Sequence, residues 1–468
     1  MLKFTPEQHD VLDHVGDPET TGIVLVSAGA GTGKTFIAKQ VVNVLKPKTG
    51  LYTAFNKAIV EEGNATFYGT NMECKTLHAL AYKYVKPKQE ISDISYSCIT
   101  EDISYALKYE IIDSINQFYV SASTDMYDYM EEFFEHHDDS SMMARLATQY
   151  IEKMAAKEIN PSFNFLLKYF HLMLVEGTVK CKYDLVILDE INDTTAVALE
   201  IFKLIEAPKK LGLGETNQAI YDFLNLVDGF ELLGDEATVF PLTRSFRCSE
   251  EIAKDIQTFM RRDVSDDFTF IGTDEPVRNG KTLICTMTNA KIVHAISQRL
   301  EERKGFHLLR KISEIFAYPL AIVSSSTGKE VYQKKYKHLE TEFKRYQKNR
   351  KRSQSYFQHL LDNLEDQETK TAVNLLLHFQ RNNINIFDLY KRAKEAEVDT
   401  NYTIATVYTS KGLEFETVIL AEDLNSRIQS IRENGGIQNH DDLVVYRCYY
   451  VACSRAGVNL ENASALVS

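Results

Sequence analysis

The chain has 468 residues, a net charge of −13 and seven cysteines. Its 44% apolar and 25% charged residues are the balance of a soluble globular protein with two to four structural units. These figures argue against a protein that coats nucleic acid by bulk charge. With no CxxC pair they also argue against a zinc or disulfide framework.

No apolar run approaches the ~20 residues that cross a bilayer, so no membrane association is expected. Residues 1–10 lack a charged-then-apolar leader pattern, so a cytoplasmic or nucleoid-associated protein with reduced thiols is expected. Residues 23–27 form an apolar run that ends in glycines, which predicts a buried parallel strand entering a loop and a helix. That helix is predicted over 35–45, stopping before Pro47. Further strands are predicted at 51–55, 184–188, 211–213 and 239–242. Between about 85 and 178 helical spacing dominates, with an acidic stretch at 125–139. A second α/β pattern follows, with strands at 282–286, 403–407 and 417–420, interrupted by a helical stretch over 306–398. Strands alternating with helices predict an α/β fold with a doubly wound parallel sheet.

The strongest local signal is Ala28-Gly29-Ala30-Gly31-Thr32-Gly33-Lys34-Thr35, set between the first strand and the first long helix. Glycines there let backbone N–H groups curl around phosphates, and the helix N-terminus adds positive potential. Lys34 is expected to reach the β- and γ-phosphates of ATP, and the Thr35 hydroxyl to ligate Mg²⁺. Downstream, Leu185-Val186-Ile187-Leu188 delivers Asp189 and Glu190 at a strand end. Asp189 is expected to hold Mg²⁺ and Glu190 to orient or deprotonate the attacking water.

The order of motifs resembles the UvrD/Rep/PcrA helicases of superfamily 1, and most closely their short branch that includes the F-box DNA helicases. Phe4-Thr5-Pro6-Glu7-Gln8 resembles the adenine-reading segment, with Gln8 as the reader. Thr53-Ala54-Phe55-Asn56-Lys57-Ala58 and Thr76-Leu77-His78 resemble the early DNA-contacting motifs. Asp189-Glu190-Ile191-Asn192-Asp193, the run from Gly214 to Phe223, and Leu242-Thr243-Arg244-Ser245-Phe246-Arg247-Cys248 match in order. So do the run from Thr406 to Phe415 and Tyr450-Val451-Ala452-Cys453-Ser454-Arg455-Ala456. The resemblance implies two tandem RecA-like P-loop NTPase domains. The first covers 1–84 and 178–240, with a helical insertion at 85–177. The second covers 241–305 and 399–468, with an insertion at 306–398. It implies Gln218 as γ-phosphate sensor, Arg247 and Arg455 as arginine fingers, Phe246 stacked on adenine and Glu414 on the nucleotide. Asn192, Glu215, Tyr408 and Ser454 depart from the family's usual Gln, Asp, His and Thr.

A motor indifferent to base sequence needs aromatic faces for bases and donors for phosphates. Phe55, Asn56, Thr76, His78, Tyr221, Phe223 and Tyr408 are the candidates for a single-stranded DNA track. Basic and aromatic residues interleave over 334–357, a pattern suited to duplex or flanking DNA. The implied activity is ATP-dependent 3′-to-5′ translocation on single-stranded DNA and unwinding at junctions, with replication, recombination or repair proteins as partners. Two other readings stay open: a translocase that strips proteins from DNA without unwinding, and a nucleotide-gated DNA-binding switch.

Overall fold

The computed structural model describes residues 4–54, 57–94, 98–220, 226–349, 354–364 and 366–467. It divides into two compact units, Met1–Gly29 with Gly33–Leu242 and Ala30–Thr32 with Thr243–Ser468.

The first unit is built on six strands: β1 (Gly22–Ala28), β2 (Gly50–Ala54), β3 (Met72–Thr76), β4 (Leu185–Asp189), β5 (Lys209–Gly214) and β6 (Ala237–Leu242). Their order is β3-β2-β4-β5-β1-β6, and every pairing is parallel. Side chains alternate across the sheet, so each strand feeds two cores. Val24, Val26, Leu185 and Ile187 pack with Val11, Val15, Ile37 and Val41 from helices Pro6–Gly16 and Lys34–Leu45. Leu25, Val186 and Leu188 pack on the other face with Leu80, Phe170 and Ile201 from helices Leu77–Val85, Phe163–Val175 and Ala196–Leu204. Coverage on both faces explains why these strands read as unbroken apolar runs.

Helices Tyr105–Val120, Met126–Phe133 and Ser140–Ala155 close a separate core around Ile115, Phe118, Met143 and Tyr150. Ser104, Asp125 and Ser162 each accept first-turn N–H groups, which sets the helix starts.

The second unit has a two-stranded parallel pair, β7 (Arg244–Ser249) and β8 (Ile271–Thr273). Its main sheet joins β9 (Thr282–Thr286), β10 (His307–Leu308), β11 (Tyr402–Thr406), β12 (Phe415–Leu420) and β13 (Ala456–Glu461) in the order β10-β11-β9-β12-β13, all parallel. Helices Ala317–Ser326, Tyr356–Asn363, Gln367–Arg381 and Ile386–Ala396 pack around Ile322, Leu360, Val373 and Phe379. The strand expected at 403–407 stops one residue early. Thr406 Oγ1 accepts the Thr409 N–H and so starts the helical turn Val407–Ser410.

Within the basic–aromatic stretch the two residue types take different environments. Tyr336, Tyr346 and Tyr356 are buried in the core shared by these helices, whereas Lys335, Lys337, Lys344, Arg345 and Lys348 are exposed. Helical spacing has sorted the two residue types to opposite faces, so these three tyrosines offer no stacking surface. Among the described residues, no helix is long and apolar enough to cross a membrane.

Candidate nucleotide site

Three adjacent strands of the first unit carry the expected nucleotide residues at their C-terminal ends. In the order β4-β5-β1, Asp189 pairs with Leu213 and Ser27 pairs with Gly214. The loop after β1 and the carboxylates after β4 therefore open on one edge of the sheet, where α/β folds bind ligands.

Gly31 and Gly33 sit at φ +70° and +91°, in the region that favours glycine. Gly33 is the N-cap of helix Lys34–Leu45 and no side chain caps that end. The helix start thus presents backbone N–H groups suited to an anion. Ala28 is fully buried at the end of β1, where a small side chain fits. Thr35 is half-buried in the first helical turn.

Lys34 Nζ and Glu190 Oε1 form an ion pair at 2.5 Å. Burial opposes the Lys34 charge, but the Glu190 and Asp189 carboxylates outweigh it and hold the ammonium above its usual range. Glu190 itself lies at φ +54°, a conformation that costs a non-glycine residue about 1 kcal/mol or more and is typical of functional turns. Asp189 is 5% exposed, and burial pushes its carboxyl up from the usual range while Lys34 opposes that shift. Its Oδ1 accepts the Glu190 N–H at 2.9 Å, and its Oδ2 accepts the Tyr52 hydroxyl at 2.5 Å.

After β5 the expected sensor, Gln218, is buried, and its Nε2 donates to Glu215 Oε2 at 2.5 Å. The Glu215 N–H donates in turn to Asn192 Oδ1 at 2.9 Å. The two departures noted in the sequence, Asn192 and Glu215, therefore belong to one polar chain that runs from the segment after β4 to Gln218. Gln8 is 1% exposed and forms a capping box with Thr5. Its Oε1 accepts the Thr5 N–H at 3.1 Å, which orients the amide at the start of helix Pro6–Gly16.

The remaining expected residues lie in the second unit. Arg247 Nε is 3.4 Å from Glu414 Oε2, and its Nη1 donates to the Ser454 carbonyl at 3.1 Å. Arg455 is 1% exposed and donates to the Val451 and Leu413 carbonyls and to Ser454 Oγ. Phe246 is 44% exposed, so its ring face is accessible. Tyr408 is half-buried in the turn after β11.

On the expected DNA track, Thr76 caps helix Leu77–Val85 by accepting the Ala79 N–H at 3.2 Å. His78 Nε2 meets Asn164 Oδ1 at 3.1 Å, and burial lowers the pKa of the ring while the Asn164 contact opposes that shift. Phe55, Asn56, Tyr221 and Phe223 lie outside the described residues. Sequence reasoning missed Tyr52 and Asn164. A phenol in a buried strand was the available signal for Tyr52, because a buried hydroxyl needs a partner. Asn164 had no comparable signal.

The residues present suit a nucleoside triphosphate with a divalent cation: a glycine cradle at a helix start, a lysine, a threonine hydroxyl and a buried aspartate. Fold and site together are those of a nucleotide-binding α/β protein. Residues 15–224 match the family described as an AAA domain. The chain is 24% identical to F-box DNA helicase 1 of Gallus gallus, covering 97% of this chain and 48% of the relative. It is 21% identical to F-box DNA helicase protein 1 of Schizosaccharomyces pombe, covering 87% of this chain and 52% of the relative. The chain is thus similar to these two proteins and spans about half the length of the curated relatives it matches.

Proposed function

We propose that this chain is an ATP-dependent 3′-to-5′ DNA helicase and single-stranded DNA translocase that uses Mg²⁺. The observation that carries the reading is the Lys34–Glu190 pair beside Asp189, beyond the C-terminal ends of the parallel strands β1 and β4 that flank β5. Both relatives bear the name DNA helicase, which supports DNA as the polymer acted on.

In this reading Lys34 leaves Glu190 for phosphate oxygens when nucleotide binds. Glu190, released from its cation, then accepts a proton from the attacking water. Thr35 and Asp189 would hold the Mg²⁺, which would supply positive charge against the phosphates. Gln218, already oriented by Glu215, senses the terminal phosphate. Arg247 and Arg455 are assigned the charge that develops during transfer, Phe246 and Gln8 the adenine, and Glu414 the nucleotide. Thr76, His78 and Tyr408, with Phe55, Asn56, Tyr221 and Phe223, are assigned to the strand. Phe163 joins them, because it is half-exposed and precedes Asn164, the partner of His78.

Steady-state ATPase with and without single-stranded DNA tests the reading, with Lys34→Ala as control. Strong stimulation by DNA that vanishes in the control is the expected result. Unwinding of 3′-tailed but not 5′-tailed duplexes then gives the polarity. Hydrolysis indifferent to DNA overturns the motor and favours a nucleotide-gated switch. Displacement of bound protein without strand separation favours the stripping translocase.

A further inference from the structure

Tyr52 lies in β2 and is almost wholly buried, yet its hydroxyl is committed to one oxygen of Asp189. The other oxygen is held by the Glu190 N–H, so both ends of this carboxylate are fixed before any cation arrives. A carboxylate free to turn about its terminal bond would have to be ordered on binding, and that ordering costs affinity.

The Tyr52 ring is itself clamped. Phe67 lies 5.0 Å away, centroid to centroid. At Gly63 an added Cβ would fall 2.5 Å from the ring edge, so the glycine allows the helix Lys57–Thr66 to close on the tyrosine. The Phe67 N–H donates to the Gly63 carbonyl at 2.9 Å, which joins the two clamping residues. Contacts thus run from the helix that follows β2, through one aromatic ring, to the aspartate assigned to the cation.

We infer that Tyr52 is a positioning residue that presets Asp189 for the magnesium of bound nucleotide, and that helix Lys57–Thr66 acts on the cation site through the Tyr52 ring. The inference rests on the nucleotide reading above and adds a residue and a route to it. Because β2 leads into the segment assigned to DNA, a shift of that helix on DNA binding would be felt at Asp189.

The test measures binding of a fluorescent ATP analogue to the full chain, with Mg²⁺ and in EDTA, beside ATPase as a function of Mg²⁺. Tyr52→Phe keeps the ring and removes only the donor. It should bind nucleotide in EDTA like the wild type. The extra affinity conferred by Mg²⁺ should fall about tenfold, the size of one hydrogen bond to a charged group. The half-saturating Mg²⁺ for ATPase should rise by a similar factor. Gly63→Ala, which forces a methyl onto the ring, should lower the same increment. A Tyr52→Phe response equal to or stronger than wild type, with loss only in Tyr52→Leu, means that Tyr52 merely packs and overturns the inference. A wild-type increment in Gly63→Ala overturns the route through the helix. No Mg²⁺-dependent nucleotide binding in the wild type overturns the nucleotide reading itself, and the inference with it.

Discussion

Glu190 concentrates the chemistry of the site in one backbone conformation. Its positive φ turns the chain sharply after β4 and brings its carboxylate to Lys34, while its N–H braces Asp189. Substituting either partner therefore has separable effects. Lys34→Ala is expected to abolish both nucleotide binding and hydrolysis. Glu190→Gln should still bind nucleotide but lose roughly 10²- to 10⁴-fold in turnover, the usual worth of a general base. Equilibrium binding beside single-turnover hydrolysis separates the two; rapid hydrolysis by Glu190→Gln would remove the base assignment. Gly214 is a structural counterpart. A Cβ there would lie 2.3 Å from Asn192 Oδ1, the atom that accepts the Glu215 N–H. Gly214→Ala should therefore weaken the polar chain to Gln218 and lower stability by about 1–3 kcal/mol, read by urea melts.

At the scale of elements, helix Phe163–Val175 serves two cores at once. Phe165 and Leu166 face the helical insertion, and Leu167 and Phe170 face the sheet. Between them Lys168 is buried, donating to the Ser121 and Ser123 carbonyls with its Nζ 4.3 Å from the centre of the Phe118 ring. Lys168→Met would leave those carbonyls unpaired, with an expected loss of about 1–3 kcal/mol. Burial also pushes the Lys168 amine down to about 7, against ~10.4 in an unfolded chain. Between those values the unfolded state binds the extra proton, so wild-type stability rises with pH from about 7 upward. The rise should be missing in Lys168→Met, and parallel slopes in denaturant melts of the two proteins would refute it.

Elements differ in how legible they were. Strands β1, β2, β4, β5, β9, β11 and β12 were legible because a sheet covered on both faces needs apolar residues, and β6 was legible although it is a largely exposed edge strand. The short or half-exposed strands β3, β7, β8, β10 and β13 carry no such run; β3, for instance, is Met-Glu-Cys-Lys-Thr. That the tyrosines at 336, 346 and 356 are buried was not legible, because local spacing does not say which face of a helix the core will take.

For the whole molecule, the charge of −13 opposes long-range attraction to DNA. Binding must then rest on short-range phosphate and base contacts, a few of which suffice for steep salt dependence. Raising salt from about 50 to 200 mM should lower the DNA affinity about tenfold or more, as expected for roughly three phosphate contacts. A salt-independent affinity, followed by fluorescence anisotropy of a labelled oligonucleotide, would point to stacking alone.

The amino-acid order by itself determined the glycine-rich loop after β1, the acidic pair after β4 and the α/β class, because each is written in consecutive residues whose chemistry is local. Only the tertiary structure decided that β4, β5 and β1 lie side by side. Only it joined Tyr52 to Asp189, Asn192 to Glu215, and His78 to Asn164. Those pairings bring together groups far apart in the chain, and their partners are chosen by sheet order and by the demand that buried polar atoms be satisfied. No local pattern encodes that demand.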